Sequence, residues 1–279
     1  MKLVTFSTRQ RTHVGMALDA GVATLDVPSL RALLSSPARL ADVRKNAQTA
    51  RPDVAWTDVT LLPPVPDPAR ILCVGANYRE HREEMGHASV AHPTLFTRFA
   101  STLVGSGQPL ALASEVTEFD YEGELAVVIG ARCRRVSKAD ALKVVAGYAC
   151  FQDATARDWQ RHTPQFTAGK NFPATGGFGP ALVTADEVGD PQNLRLSLRL
   201  NGQVMQQART DEMMFDIPTL IAYITTFTEL EPGDVVATGT PSGVGSRLDP
   251  PVFLRDGDLL EVDIERVGTL VNGVAGERA

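Results

Sequence analysis

The chain has 279 residues, 43% hydrophobic and 22% charged, with a formal net charge of -6, which suits a globular protein of one large domain or one domain with an appendage. Lys and Arg are scattered, with only a brief cluster at Arg132, Arg134 and Arg135, so nucleic acid is excluded as an expected partner. No stretch approaches the roughly twenty apolar residues that span a bilayer and Met1 to Phe6 lacks a signal core, so no membrane partner and a cytoplasmic address are expected.

Residues 1 to 62 carry short alternating runs (Leu3 to Phe6, Val14 to Leu18, Val22 to Val27) and a helical stretch near Pro28 to Leu34, the pattern of a small N-terminal α+β domain. Pro63, Pro64, Pro66 and Pro68 stiffen the chain and predict a linker over 63 to 69. A main domain over 70 to 279 then opens with a short buried strand, Ile71 to Gly75. Asn77 to Gly86 reads as a short polar helix stopped by glycine, and Gly86 to His92, poor in bulky apolar anchors, reads as a mobile lid. Glu124 to Ile129 is strand-like, Ser137 with Asp140 opens a helix to about Val145, and Val144 to Gln152 is a further apolar run. Leu194 to Leu200 precedes Asn201-Gly202, a hairpin signal; Pro218 to Thr226 reads as a helix with Pro in its first turn, and Asp234 to Thr238 and Leu259 to Ile264 as strands. Strands without regular βαβ alternation predict a mixed, β-rich α+β fold rather than a doubly wound sheet.

The chemistry centres on Glu122-Gly123-Glu124. Residues two apart on a strand share a face, so Glu122 and Glu124 project together, followed on that face by Ala126 and Val128. The other face carries Tyr121, Leu125, Val127 and Ile129, so the strand is apolar on both sides beyond its start. Two buried like charges without a partner are costly or take up protons, and no Lys or Arg lies in the strand. Asp153, at the end of the next apolar run, supplies a third oxygen if the two runs are neighbours, and three carboxylates call for a divalent cation. The competing readings are an edge strand for Glu-x-Glu and a helix N-cap for Asp153.

His81 and Glu84 lie three apart on the polar helix, where Glu84 can hold one imidazole nitrogen and leave the other basic; a solvated face of ion pairs among Arg79, Glu80, Arg82, Glu83 and Glu84 is the alternative. Lys170 sits in a glycine-bearing loop, Gly169-Lys170-Asn171, that lacks the Walker pattern. Thr240 belongs to a glycine-rich turn, Gly239 to Gly245, able to bring backbone N-H groups to a ligand. No Gly-x-Ser-x-Gly elbow is present. Cys73, Cys133 and Cys150 are far apart with no Cys-x-x-Cys pair, the thiol usage of a reducing compartment.

In this order, Val74-Gly75-Ala76-Asn77-Tyr78 with His81 and Glu84, Tyr121 to Leu125, Asp153 to Asp158, Gly169 to Phe172 and Thr238 to Gly245 resemble the fumarylacetoacetate hydrolase family from about residue 70 onward. The resemblance implies a β-rich roll, commonly homodimeric, with Glu122, Glu124 and Asp153 binding Mg2+ or Mn2+. It also implies a water-activating pair His81 and Glu84, a charge-stabilising Lys170 and a substrate-side Thr240. Arg98-Phe99 stands where relatives often have Lys-Pro, so Arg98 is a candidate carboxylate reader, with a surface arginine as the alternative. Gln160 to Phe166 has no assigned role. The implied activity is hydrolysis of a carbon-carbon bond in a small acylpyruvate-like keto acid, as in aromatic catabolism. Decarboxylation of oxaloacetate, isomerisation of dienedioates and hydration of 2-oxo-enoates on the same centre are alternatives, and a silent keto-acid-binding protein is the rival from another class.

Overall fold

The computed structural model describes residues 1 to 9, 11 to 86 and 90 to 277. His87 to Ser89, within the expected lid Gly86 to His92, lie outside the described residues. Two large sheets and a two-stranded pair, Phe119–Asp120 with Thr155–Ala156, form among the described residues a mixed, strand-rich α+β architecture. The larger runs Gly21–Leu25, Arg11–Leu18, Lys2–Thr8, Gly176–Thr184, Val145–Asp153, Gly123–Ile129, Val235–Ala237, Ile71–Gly75, Thr94–Arg98; the smaller runs Gln203–Arg209, Arg195–Leu200, Leu259–Ile264, Gly268–Gly276, Leu110–Leu112. Asn201 and Gly202 both have positive φ, 51° and 81°, as the tight turn of the hairpin in the smaller sheet requires.

The strand Gly123–Ile129 is buried along its whole length and divides two cores by its period of two. Leu125, Val127 and Ile129 pack with Leu198, Val262 and Ile221 towards the smaller sheet and the helix Ile217–Phe227. Ala126 and Val128 pack with Phe151, Phe178 and Leu33 on the other side. The neighbouring strand Val145–Asp153 obeys the same parity, with Tyr148 and Cys150 in the first core and Ala149 and Phe151 in the second.

The first strand, Lys2–Thr8, pairs Lys2 with Val183 and Leu3 with Leu182, so the N-terminal strands continue the main sheet. In the proline-rich stretch Pro63, Pro64 and Val65 are buried, and Thr5 Oγ1 donates to the Pro64 carbonyl at 2.6 Å. The predicted helix from Ser137 is present as a 3-10 helix, Lys138–Val144, with the Ser137 hydroxyl accepting from the Asp140 N-H. An additional helix, Pro37–Asn46, buries none of its side chains. Among the described residues no helix is long and apolar enough to cross a membrane.

Candidate metal and proton-transfer site

The site forms where four adjacent strands meet the same end of the larger sheet. Gly123 pairs with Gln152 and Glu124 with Phe151, and the Asp153 N-H donates to the Glu122 carbonyl at 2.9 Å. Antiparallel register therefore sets Asp153 opposite Glu122, on the face that Glu122 shares with Glu124. Carboxylate oxygens of Glu122, Glu124 and Asp153 lie within 4.8 Å of one another, all buried. Asp153 ends its strand and caps no helix; the nearest helix is Arg157–Gln160, with Ala156 at its N-cap. The edge-strand alternative also fails, because Gly123–Ile129 has partners on both sides.

The strand Val235–Ala237 borders Gly123–Ile129 on its other side and leads into Gly239. The Gly239 N-H donates to Glu124 Oε2 at 2.9 Å. Its φ of +99° is the region open to glycine, and a Cβ there would collide with the Asn77 side chain and the Val74 carbonyl. Asn77 fixes the turn before the helix Arg79–Glu84, donating to the carbonyls of Thr238 (2.8 Å) and Phe215 (3.0 Å).

Cations reach the cluster from outside the strand. Lys170 Nζ donates to Glu122 Oε2 (2.8 Å) and Asp153 Oδ2 (2.6 Å) and sits 5.1 Å from the Phe96 ring centroid. Arg157 pairs with Glu122 Oε1 at 2.6 Å and with Asp120 Oδ2 at 2.8 Å. Burial alone would push the Glu122 carboxyl up, but Lys170 and Arg157 outweigh it and hold the carboxyl below its ordinary range. Glu124 has no such partner. Burial first, then Asp153 and Glu122, raise its carboxyl well above the usual carboxylate range. Burial lowers the Lys170 ammonium less than Asp153 and Glu122 raise it, so it stays charged.

Asp120, Glu122 and Asp153 thus meet Arg98, Arg157 and Lys170 in the buried cluster, and Glu124 is the carboxyl left without a cationic contact. An all-oxygen donor set in which Glu124 lacks a cationic partner fits a hard divalent cation. Glu122, Glu124 and Asp153 would hold it.

His81 and Glu84 come together as expected, His81 Nδ1 to Glu84 Oε2 being 2.9 Å. Glu84 Oε1 accepts from the Gly243 N-H at 3.0 Å, so the dyad is anchored to the glycine-rich turn. His81, Glu122, Glu124, Lys170 and Thr240 line one cavity of about 250 Å3. The alternative of a solvated face holds for Arg79, Glu80 and Glu83, which are exposed, but not for Arg82, which is buried beside His81.

Thr240 lines the cavity, but its hydroxyl is engaged: it donates to the Gly123 carbonyl (3.0 Å) and accepts from Gln206 Nε2 (2.8 Å). Arg98 corrects the sequence expectation. Its guanidinium is fully buried and bonded to Asp153 Oδ1, the Ala154 carbonyl and Thr175 Oγ1, so it holds the Asp153 carboxylate in place and is not among the residues lining the cavity. It is neither a free carboxylate reader nor a surface arginine.

Several contributors went unassigned in the sequence. Asp120 accepts N-H bonds from Gly245 (2.8 Å) and Ser246 (3.1 Å) as well as pairing with Arg157; the i, i+2, i+4 spacing of Asp120, Glu122 and Glu124 was its available signal. Gln206, from the smaller sheet, also accepts from the Gly123 N-H at 2.9 Å, and no local pattern marks it. From the unassigned Gln160 to Phe166 segment, Gln160 and Phe166 line the cavity, and Phe166 packs edge-on against Phe96 at 5.6 Å.

Comparison with known proteins identifies the family. The chain is 39% identical over 287 residues, covering 98% of it and 91% of the relative, to a mitochondrial oxaloacetate tautomerase of Bos taurus. It is 43% identical over 222 residues, covering 78% of it and 74% of the relative, to the oxaloacetate tautomerase YisK of Bacillus subtilis. Its fold superposes, with a TM-score of 0.84, 28% identity and full coverage of both chains, on maleylpyruvate hydrolase from Sphingobium sp. SYK-6, solved with manganese(II) and pyruvate. The model of the fumarylacetoacetate hydrolase C-terminal domain matches residues 70 to 275, and the chain belongs to the fumarylacetoacetate hydrolase family.

Proposed function

We infer that the protein catalyses enol-keto tautomerisation of a small 2-oxo dicarboxylate such as oxaloacetate, with Mg2+ or Mn2+ held by Glu122, Glu124 and Asp153. The observation that carries this is that one small cavity joins the three-carboxylate cluster to a histidine whose Nδ1 is committed to Glu84. The cation, when bound, would chelate the 2-oxo acid and take up negative charge developing on its carbonyl oxygen. His81, with Nδ1 held, presents Nε2 as the base. It takes a proton from C3; the C-H electrons become the C2=C3 bond and the carbonyl π electrons move to O2. Return of the proton from the imidazolium to O2, directly or through a water, completes the enol, and the reverse path regenerates the ketone. Lys170 keeps Glu122 and Asp153 in place and adds positive potential beside the oxygen that becomes charged.

The two relatives at 39% and 43% identity support this reading. Proton shuttling also needs only one basic nitrogen, whereas hydrolysis needs a water lodged between that nitrogen and a distal carbonyl. Hydrolytic cleavage of an acylpyruvate is the second reading, favoured by the same dyad, which suits water activation, and by the likeness to maleylpyruvate hydrolase. Decay of enol-oxaloacetate absorbance with Mg2+ or Mn2+ decides: acceleration without carbon dioxide or pyruvate release is expected. No acceleration with either metal, together with pyruvate release from acetylpyruvate or maleylpyruvate, would reverse the ranking.

A further inference from the structure

The helix Arg79–Glu84 buries two side chains, His81 and Arg82. His81 is paired with Glu84; Arg82 is the unexplained one. It is 5% exposed and lines the same cavity as Glu122, Glu124 and Lys170. Its Nε is buried without a partner, and its guanidinium forms no ion pair or hydrogen bond with any described residue. Arg98 and Arg157, equally buried, each have a carboxylate.

A guanidinium cannot shed its charge at any relevant pH, so burying one without an anion is strongly unfavourable. An anion entering the cavity removes that penalty. Arg82 adds to the cavity a positive charge that none of the described carboxylates pairs, which suits a substrate carrying a second negative group. With a cation held by Glu122, Glu124 and Asp153, the carboxylate and oxo group at one end of a 2-oxo acid would be engaged there, which leaves Arg82 for a carboxylate at the other end, where its fork of donors matches two oxygens.

We propose that Arg82 reads the distal carboxylate of the substrate and makes the site selective for 2-oxo dicarboxylates over 2-oxo monocarboxylates. The proposal rests on the reading of the cavity as a 2-oxo acid centre and supplies the selectivity first sought in Arg98.

The test uses unreactive 2-hydroxy analogues that differ in the far group: malate, with a carboxylate, and 2-hydroxybutyrate, with a methyl. Calorimetry on the full chain loaded with Mg2+ should show malate bound about 30-fold or more tightly, as a charge-assisted pair implies. In R82Q the preference should fall to about threefold or less, with R82K between, since an ammonium keeps charge and loses the fork. Without metal or ligand, R82M should melt above the unmodified protein, because an unpaired buried charge has been removed. A malate preference unchanged in R82Q, or absent from the unmodified protein, would overturn the assignment, as would a lowered melting temperature in R82M with the preference intact. Tautomerisation is scored separately: an Arg82-dependent malate preference in a protein inert towards enol-oxaloacetate would retain dicarboxylate selectivity and discard that reaction.

Discussion

The two halves of the strand Gly123–Ile129 solve burial in opposite ways. Beyond Leu125 the chain is apolar on both faces, with Ala126 and Val128 in one core and Val127 and Ile129 in the other, and burial itself is the stabilising term. At the start, Glu122 and Glu124 are as buried as their neighbours, and stability there depends on where cations come from. Glu122 draws Lys170 and Arg157 from distant segments, while Glu124 draws only the Gly239 N-H. A single strand can therefore be rigid core at one end and a poised, under-neutralised site at the other. The difference between the two glutamates is made by the loops that pack around them.

The largest effect should come from the under-neutralised carboxylate. Glu124→Ala, or a strong chelator on the intact protein, should cut kcat/KM by about a thousandfold, and isothermal titration should show Mg2+ or Mn2+ affinity collapsing in parallel. Retained activity in the chelated protein would remove the metal from the mechanism. The same residue carries a pH signature. Its carboxyl is raised in the folded state, so the folded protein holds a proton that the unfolded chain releases near the ordinary value. The associated stability is full below that value and is lost as pH rises towards the folded pKa. Metal-free protein should thus lose stability on passing upward from about pH 4.5, and Glu124→Gln should lack that component; identical urea midpoints for the two across the range would contradict it.

Lys170→Met should be next, costing about 3 kcal/mol of stability by stripping a cation from Glu122 and Asp153, seen as a lowered urea midpoint in metal-free protein. Added divalent cation should restore part of it. His81→Gln should lower kcat about a hundredfold while leaving metal affinity within the error of titration; a joint loss of both would mean that His81 acts through the carboxylate cluster. Val128→Ala, in the apolar half, should cost only about 2 kcal/mol through lost burial and a cavity, with kcat/KM unchanged. A large activity loss there would show that the two halves are coupled.

Parity and register account for what was legible. Two carboxylates two residues apart, followed by two-sided apolar alternation, required a buried strand whose face could be extended to Asp153, and the pairing Glu124 to Phe151 realises it. The His81 to Glu84 contact followed from helix spacing in the same way. What could not be read was the choice of partner across the fold. Arg98 and Arg82 are both arginines near motif residues; the first is pinned by Asp153 and Thr175, the second is left facing the cavity, and only tertiary packing distinguishes them. Gln206 reaches the site from the smaller sheet, a placement with no local signature. The helix Pro37–Asn46 was missed because it fully buries no side chain and only Leu40 and Val43 pack, half-buried, against the core, so the apolar periodicity on which helix prediction rests is weak.

The pairing of Lys2 and Leu3 with Val183 and Leu182 gives the first sixty residues a protective role. They cover one flank of Gly176–Thr184, a strand that lies directly beside the one ending in Asp153. A chain trimmed to the family-matching segment would keep Leu103–Val104 beside Gly176 and Gly177 but open the ladder at Leu182 and Val183, with Ala181 stripped of its packing against Val4 and Phe6. Exposed edges of this kind recruit other strands, so the shortened protein should self-associate through an edge whose far side holds the metal-site carboxylate.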